Sequence, residues 1–499
     1  MHQVALHYVF SKKPSNRCRC NRQICRDAGR FETHANLPAS FLAVRGGIHG
    51  ELERCESGPG SGDRQPDRLQ VGGGAHLFAH WRQLAGGHER TRRRRGQGGR
   101  GPIRSTRNGL PVLNPASSSP EGVIMSQSIF TSHTSAGDAA EAARELTSGF
   151  ADADIAVAAF FCAPDHDIAA VGEQLVEALP DAQVIGCTTA GEFTGTASST
   201  DGVSLFALSA DAVADASAAL IEFGDDVAAD VEQAADAVAD ELGVSLREAS
   251  ADEYIGFVLI DGLSGKEEAV NRALGNVAPT LNFVGGSAGD NLAFEKTEVF
   301  CNGKSSASAA VILLAHMSAP FEVVKSCSFE PTDASLTITK ADEDQRIVWE
   351  FDGKPAVEAY AEAVGVAPDA IDSSVFMSSP VGLMLGDEPW IRSPQQAVDG
   401  GGIKFYCSIK EGMQVSVMRS TDLVGETQTH VAQACDRLDG EPAGILAFNC
   451  ILRRLELDAD DAHEAFRESF PAPVAGFHTY GESWLGHINQ TLTAVVFGG

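Results

Sequence analysis

The chain has 499 residues, enough for two or three domains, with 38 Lys+Arg against 68 Asp+Glu and a formal charge of −30. The charge is unevenly divided: residues 1–124 hold 20 basic and 9 acidic side chains, whereas the rest holds 18 and 59. So acidic a body repels phosphate backbones, which argues against nucleic acid as a partner. The lack of an 18-residue apolar run and of an N-terminal apolar segment argues against a membrane span and a secretory signal.

Residues 1–124 carry the run Arg92–Arg95, Gly72-Gly73-Gly74 and a Ser/Pro stretch at 115–120, without helical or strand periodicity. They are expected to be a basic leader of low order, with the true protein starting at Met125. Cys18, Cys20, Cys25 and His34 fit no standard zinc spacing. Beyond Met125, acidic residues on helix-like stretches with small Ala and Val at the apolar positions suit a cytoplasmic protein of a salt-loving cell. The seven cysteines there (162, 187, 301, 327, 407, 435 and 450) are expected to be reduced and buried.

One unit recurs three times. The first copy runs from the apolar strand 155–162 through a helix capped by Asp165 to Val184-Ile185, the loop Gly186–Glu192 and the strand 203–208. In the second copy, strand 255–260 ends at Asp261, and Ser264 with Glu267 forms a capping box. Phe283-Val284, the loop Gly285–Asp290 and strand 309–314 follow. The third has strand 444–450, a helix opened by Asp458, the loop Gly476–Glu482 and strand 492–497. The predicted fold is α/β, with mixed β-sheets built from repeated β-α-β-β units in two domains, 125–340 and 341–499, divided near the polar run Asp342-Glu343-Asp344.

Each repeated loop combines glycines, hydroxyls and an acid at the carboxyl end of a strand, where α/β sheets place ligands. Amides can hold a carboxylate and an acid can hold an ammonium, a combination that suits a zwitterion such as an amino acid. The bland alternative is that the glycines make tight turns and the acids cap them. The candidate ligand-binding residues are Thr188, Glu192, Ser287, Asp290, His478, Tyr480 and Glu482, in a site lined by loops 186–192 and 285–290 with 476–482 facing them or forming a second pocket. A binding role for Glu482 predicts that Glu482→Gln loses affinity but not stability. No phosphate-binding loop occurs, and Gly285–Gly289 is followed by strand-like text rather than the helix that a dinucleotide site or a nucleophile elbow needs. A metal site from His478, Glu482 and His487 is disfavoured by the glycines around it, so neither cofactor nor metal is expected.

The sequence resembles the FIST sensory family, which pairs a FIST N with a FIST C domain. The resemblance rests on Val184–Glu192, Gly285–Asn291 with Val299–Gly303, Pro380–Leu383 through Trp390–Arg392, Phe448–Arg454, Gly476–Glu482 and Asn489–Thr493. It implies an intracellular ligand-sensing module, with amino acids among the proposed ligands and no catalytic residues. Members often show Gly-Arg shortly after the cysteine, where this chain has Leu452-Arg453. The expected function is therefore sensing a small molecule and signalling through a separate protein partner. The alternatives are an enzyme using Cys450 and His478, or a structural interaction protein.

Overall fold

The computed structural model describes residues 124–125 and 128–499. The leader, with Cys18, Cys20, Cys25, His34 and Arg92–Arg95, lies outside the described residues.

The three copies fold as three equivalent units. In the first, β1 (Ile155–Cys162) leads through α1 (Ile168–Ala178) to the parallel strand β2 (Gln183–Thr188), and β3 (Val203–Ser209) returns antiparallel to β1. The second repeats this with β4 (Tyr254–Ile260), α2 (Glu267–Val277), β5 (Asn282–Ser287) and β6 (Ala309–Met317). The third does so with β7 (Pro442–Cys450), α3 (Ile451–Asp460), β8 (Val474–Thr479) and β9 (Thr491–Gly498). These strands are buried on both faces, so they read as unbroken apolar runs rather than alternating ones. Alternation decides which core each residue enters: Val157, Ala159 and Phe161 join Phe257, Leu259, Leu446, Phe448 and Phe477 in one shared core. Ala158, Phe160 and Cys162 face the helices of their own unit. Phe161 stacks on Phe477 with ring centroids 4.7 Å apart, tying the first sheet to the third.

Each unit also lends a hairpin to another unit's sheet. Hairpin 192–199 of the first unit pairs with β8, hairpin 299–306 of the second with β2, and hairpin 482–488 of the third with β5. The exchange is cyclic, so no unit has a complete sheet of its own. The opening glycines of the second and third loops have a cause within their own units, the close approach of the parallel strand pair. A Cβ on Gly285 or Gly476 would lie 1.8 or 1.9 Å from the carbonyl oxygen of Val258 or Ala447. These glycines are strand residues where backbones approach too closely for any side chain.

Helix starts differ from expectation in detail. Asp167, not Asp165, caps α1, and Lys266 precedes α2 without a side-chain cap. The hydroxyl of Ser264 donates instead to the Asp261 carbonyl (2.7 Å). Helix α3 starts directly after Cys450, so Asp458 sits in its last turns rather than opening it. Between the second and third units lies a further antiparallel sheet made of strands from 329–342 to 414–420, packed on helices 356–364 and 373–378. The polar run at 342–344 lies in the turn between strands 329–342 and 347–351.

Candidate ligand site where the second and third units meet the inserted sheet

The acids of the repeated loops hold the fold. Gly191 (φ 106) and Gly481 (φ 152) turn the chain so that the next residue, Glu192 or Glu482, points inward. Glu192 accepts hydrogen bonds from the Thr189 hydroxyl (3.1 Å), the Ser199 hydroxyl and the Gly202 amide (2.8 Å). Glu482 accepts from the Thr479 hydroxyl (2.5 Å) and from the amide (3.1 Å) and hydroxyl (2.5 Å) of Thr491. In the second unit the equivalent acid is Asp261, which takes the Thr297 hydroxyl and the Ser308 amide (2.9 Å). Each acid therefore catches an amide at the entry of the unit's last strand. Counted from the partners of Gly186, Gly285 and Gly476, Ala163 and Cys450 stand where Asp261 stands in the second unit, so Cys162 is not its counterpart. Burial pushes the Glu482 carboxyl up to about 7.

The other predicted residues are adjacent but mostly engaged. The three loops interlock through their backbones: Tyr480 N–H to Ser287 C=O (3.0 Å), Ser287 N–H to Gly481 C=O (2.8 Å), and His478 N–H to Gly191 C=O (2.7 Å). Gly289 N–H reaches the Thr188 carbonyl (2.9 Å), while the Thr188 hydroxyl accepts the Glu298 amide (3.0 Å). Asp290 gathers the amides of Phe294 (2.9 Å), Glu295 (2.6 Å) and Lys296 (3.0 Å) and the Tyr480 hydroxyl (2.5 Å). The Ser287 hydroxyl and His478 Nε2 are buried without a hydrogen-bond partner.

Beside these loops lies an open cavity of about 970 Å³. Its walls come from segments far apart in the chain: 262–267 and 292–295 of the second unit, Cys450–Leu452, Tyr480 and Asn489 of the third, and parts of 344–406 in and beside the inserted sheet. Of the seven predicted residues, Tyr480 alone is in the wall. Leu292, Phe294, Phe376, Met377, Ile451 and Leu452 make much of it apolar, whereas Glu267, Arg346 and Asn489 bring polar groups. The wall segment 291–294 is strained, with Asn291, Leu292 and Phe294 at φ 52, 69 and 54. Asp290 and Tyr480 hold it there: the Tyr480 hydroxyl accepts the Leu292 amide (2.7 Å), and Phe294 stacks on the Tyr480 ring at 5.2 Å. Arg454 adds hydrogen bonds to the Ala190 carbonyl (2.6 Å) and Asn291 Oδ1 (2.9 Å). Glu267, Arg346 and Asn489 escape a reading by motif because no local pattern links them, although Asn489 falls in a segment that carries the family resemblance.

The Cys450–His478 pair is not assembled as a catalytic dyad. His478 Nδ1 meets Asn449 Nδ2 (3.0 Å), and Cys450, the next residue along the strand, turns to the opposite face beside Glu482. Burial holds the Cys450 thiol well above its ordinary value and the His478 imidazole well below, so neither carries charge at neutral pH. Iodoacetamide should leave Cys450 unlabelled in the native protein and alkylate it rapidly in denaturant, as read by peptide mass spectrometry. Labelling of Cys450 in the folded state at the rate of a free thiol would contradict this burial. Among the described residues, no group of three or more His, Cys, Asp or Glu side chains is placed to hold a metal ion, and no helix is long and apolar enough to cross a membrane.

Comparison with known proteins gives the class. The FIST N domain family matches residues 156–354 and the FIST C domain family matches residues 356–484. The chain belongs to the FIST family, whose domains are sensory domains of signal transduction. An uncharacterized protein of Methanocaldococcus jannaschii is 24% identical over 296 residues, covering 56% of this chain, and the chain spans the same share, about half, of that relative. A solved chorismatase structure aligns over 69% of this chain and 92% of its own, with 10% identity and a TM-score of 0.27, too low to carry an argument.

Proposed function

We propose that this protein senses a small molecule, such as an amino acid, in the 970 Å³ cavity and passes its state to a separate signalling partner. The observation that supports this reading is that the cavity is walled by both FIST domains: its lining runs from Gly262 to Ile347 in one match and from Ser373 to Leu452 and Tyr480 in the other. A ligand touching both halves can bias their arrangement, as a sensor requires. In this reading Glu192, Asp290 and Glu482 shape the loops, Tyr480 faces the ligand, and Thr188, Ser287 and His478 lie behind the wall. The acidic surface favours a cytoplasmic, salt-rich setting.

A thermal-shift screen of amino acids and other metabolites on the full chain in molar KCl tests it. A ligand at 100 times its dissociation constant stabilises by about 2.7 kcal/mol. Met377→Trp, which fills the cavity from its wall, should abolish the shift while the free protein melts near its original temperature. No shift with any compound would overturn the sensor reading.

A further inference from the structure

The second unit's sheet ends in an open edge. Strand 213–222 pairs with β6 on one side and, among the described residues, with no strand on the other. One side-chain contact fixes which way its backbone points: Asp215 Oδ1 accepts the Ala216 amide (2.9 Å), so that N–H is turned away from β6. Residues alternate along an antiparallel strand, and the N–H and C=O groups of Ala218, Leu220 and Glu222 therefore point outward as well. None of these groups finds a hydrogen-bond partner among the described residues. The same three residues form one wall of a groove of about 620 Å³, with 301–305 of hairpin 299–306 as the other. The equivalent edges of the other two sheets are occupied or guarded. In the first unit, strand 129–134 holds the position of 213–222, and strand 124–125 adds to its outer side. In the third, strand 321–327 holds it and carries charges: Arg437 of helix 423–437 donates to Glu322 (3.0 Å), and Lys325 donates to Glu388 and the Pro389 carbonyl (both 3.2 Å). Strand 213–222 has no Lys, Arg, Pro or Gly, and its run 216–221 is uncharged, although edges left to solvent are normally protected by such residues.

We propose that strand 213–222 is the interface of a two-fold homodimer, in which the same strand of a second copy pairs with it antiparallel about Leu220 and joins the two sheets into one. The edge itself specifies a second copy as its occupant. With the axis at Leu220, that residue meets the partner's Leu220, and Glu222 meets the partner's Ala218. Each such pair exchanges two hydrogen bonds, so every outward N–H and C=O of 218, 220 and 222 is satisfied. No like charges are opposed, and the small side chains at 216–219 let the two backbones approach. A foreign strand would need a matching pattern, whereas an identical copy has it by symmetry. Both copies are acidic, with a formal charge of −30 each, so association should tighten as salt screens their repulsion. Helix α2, which carries Glu267 of the cavity wall, connects β4 and β5 of this sheet, and the dimer therefore links its two cavities through one continuous sheet.

Sedimentation velocity of the full chain over a range of concentrations, in dilute buffer and in molar KCl, tests this. The expected result is a dimer at micromolar concentration that tightens with salt. Ala218→Pro removes an outward N–H that β6 does not use, and it should raise the dissociation constant about a hundredfold. Ala218→Glu, set against the partner's Glu222, should raise it about tenfold, whereas Ala218→Lys at the same place should not raise it. Melting curves report whether the variants fold. Amide exchange across 218–222 should be slow in the dimer and fast in the Pro variant. A monomer at every concentration and salt would overturn the proposal and leave the edge to a strand of another protein. A dimer that the Pro and Glu variants both leave intact would overturn it too, and equal effects of Glu and Lys would overturn the register about Leu220.

Discussion

Gly285→Ala should destabilise the protein by about 3 kcal/mol or more, the largest effect expected of any single methyl group added to it. The added Cβ would lie 1.8 Å from the Val258 oxygen and 2.8 Å from its carbon, both backbone atoms of the neighbouring parallel strand. No flexible side chain can give way, and moving either strand would disturb the junction that receives hairpin 482–488. Gly275→Ala is the internal control, because a Cβ there meets nothing within 4 Å on helix α2. That change should stabilise by about 0.5–1 kcal/mol through helix propensity. Urea denaturation followed by circular dichroism separates the two, and a Gly285→Ala protein within about 1 kcal/mol of the original would refute the close-approach explanation.

The second large effect is at Glu482. Removing its side chain in Glu482→Ala leaves the Thr491 amide and two buried hydroxyls without their acceptor, a loss of about 3–5 kcal/mol. Glu482→Gln should behave differently. An amide can keep its oxygen toward Thr491 and donate to Thr479, so stability near pH 5 should change little. The pH dependence should change instead. Burial raises the folded-state pKa to about 7, so the native state holds a proton that the unfolded chain gives up near pH 4.5. Stability from this group is therefore fully present below pH 4.5 and is lost as pH rises through 7, by an amount on the order of 1–3 kcal/mol. Glu482→Gln should flatten that decline. Melting temperatures between pH 5 and 8 give the answer; an unchanged slope in the Gln variant would show that Glu482 titrates normally. The sequence-based expectation for Glu482→Gln is lost affinity at constant stability; the pH dependence is an addition that nothing local reveals, because it comes from burial of the carboxyl between Thr479 and Thr491.

The repeat was legible because its strands are buried on both faces. Such strands must be apolar without interruption, and an apolar run followed by an amphipathic helix and a second run is visible without any long-range information. The helix starts were less so: Asp165 and Asp167 are both able to cap α1, and only the backbone geometry chooses Asp167. The loop glycines were visible as glycines, but their cause was not. Gly285 and Gly476 looked like turn or ligand-facing residues and are strand residues under steric pressure.

The sequence by itself determined the three units, their order, the α/β class and the acidic character of the body, all of which are legible from local composition and from units of about sixty residues. Tertiary structure alone decided that each unit completes another's sheet, that Asp261 replaces Glu192 and Glu482 in the second unit, and that Glu267, Arg346, Tyr480 and Asn489 share one cavity. The physical reason is distance along the chain. Glu267 and Asn489 share that cavity with 222 positions between them, and no local propensity, cap or hydrophobic period carries information across such a gap. Packing of the three sheets against a common core closes the gap, and the cavity exists only once that packing is complete.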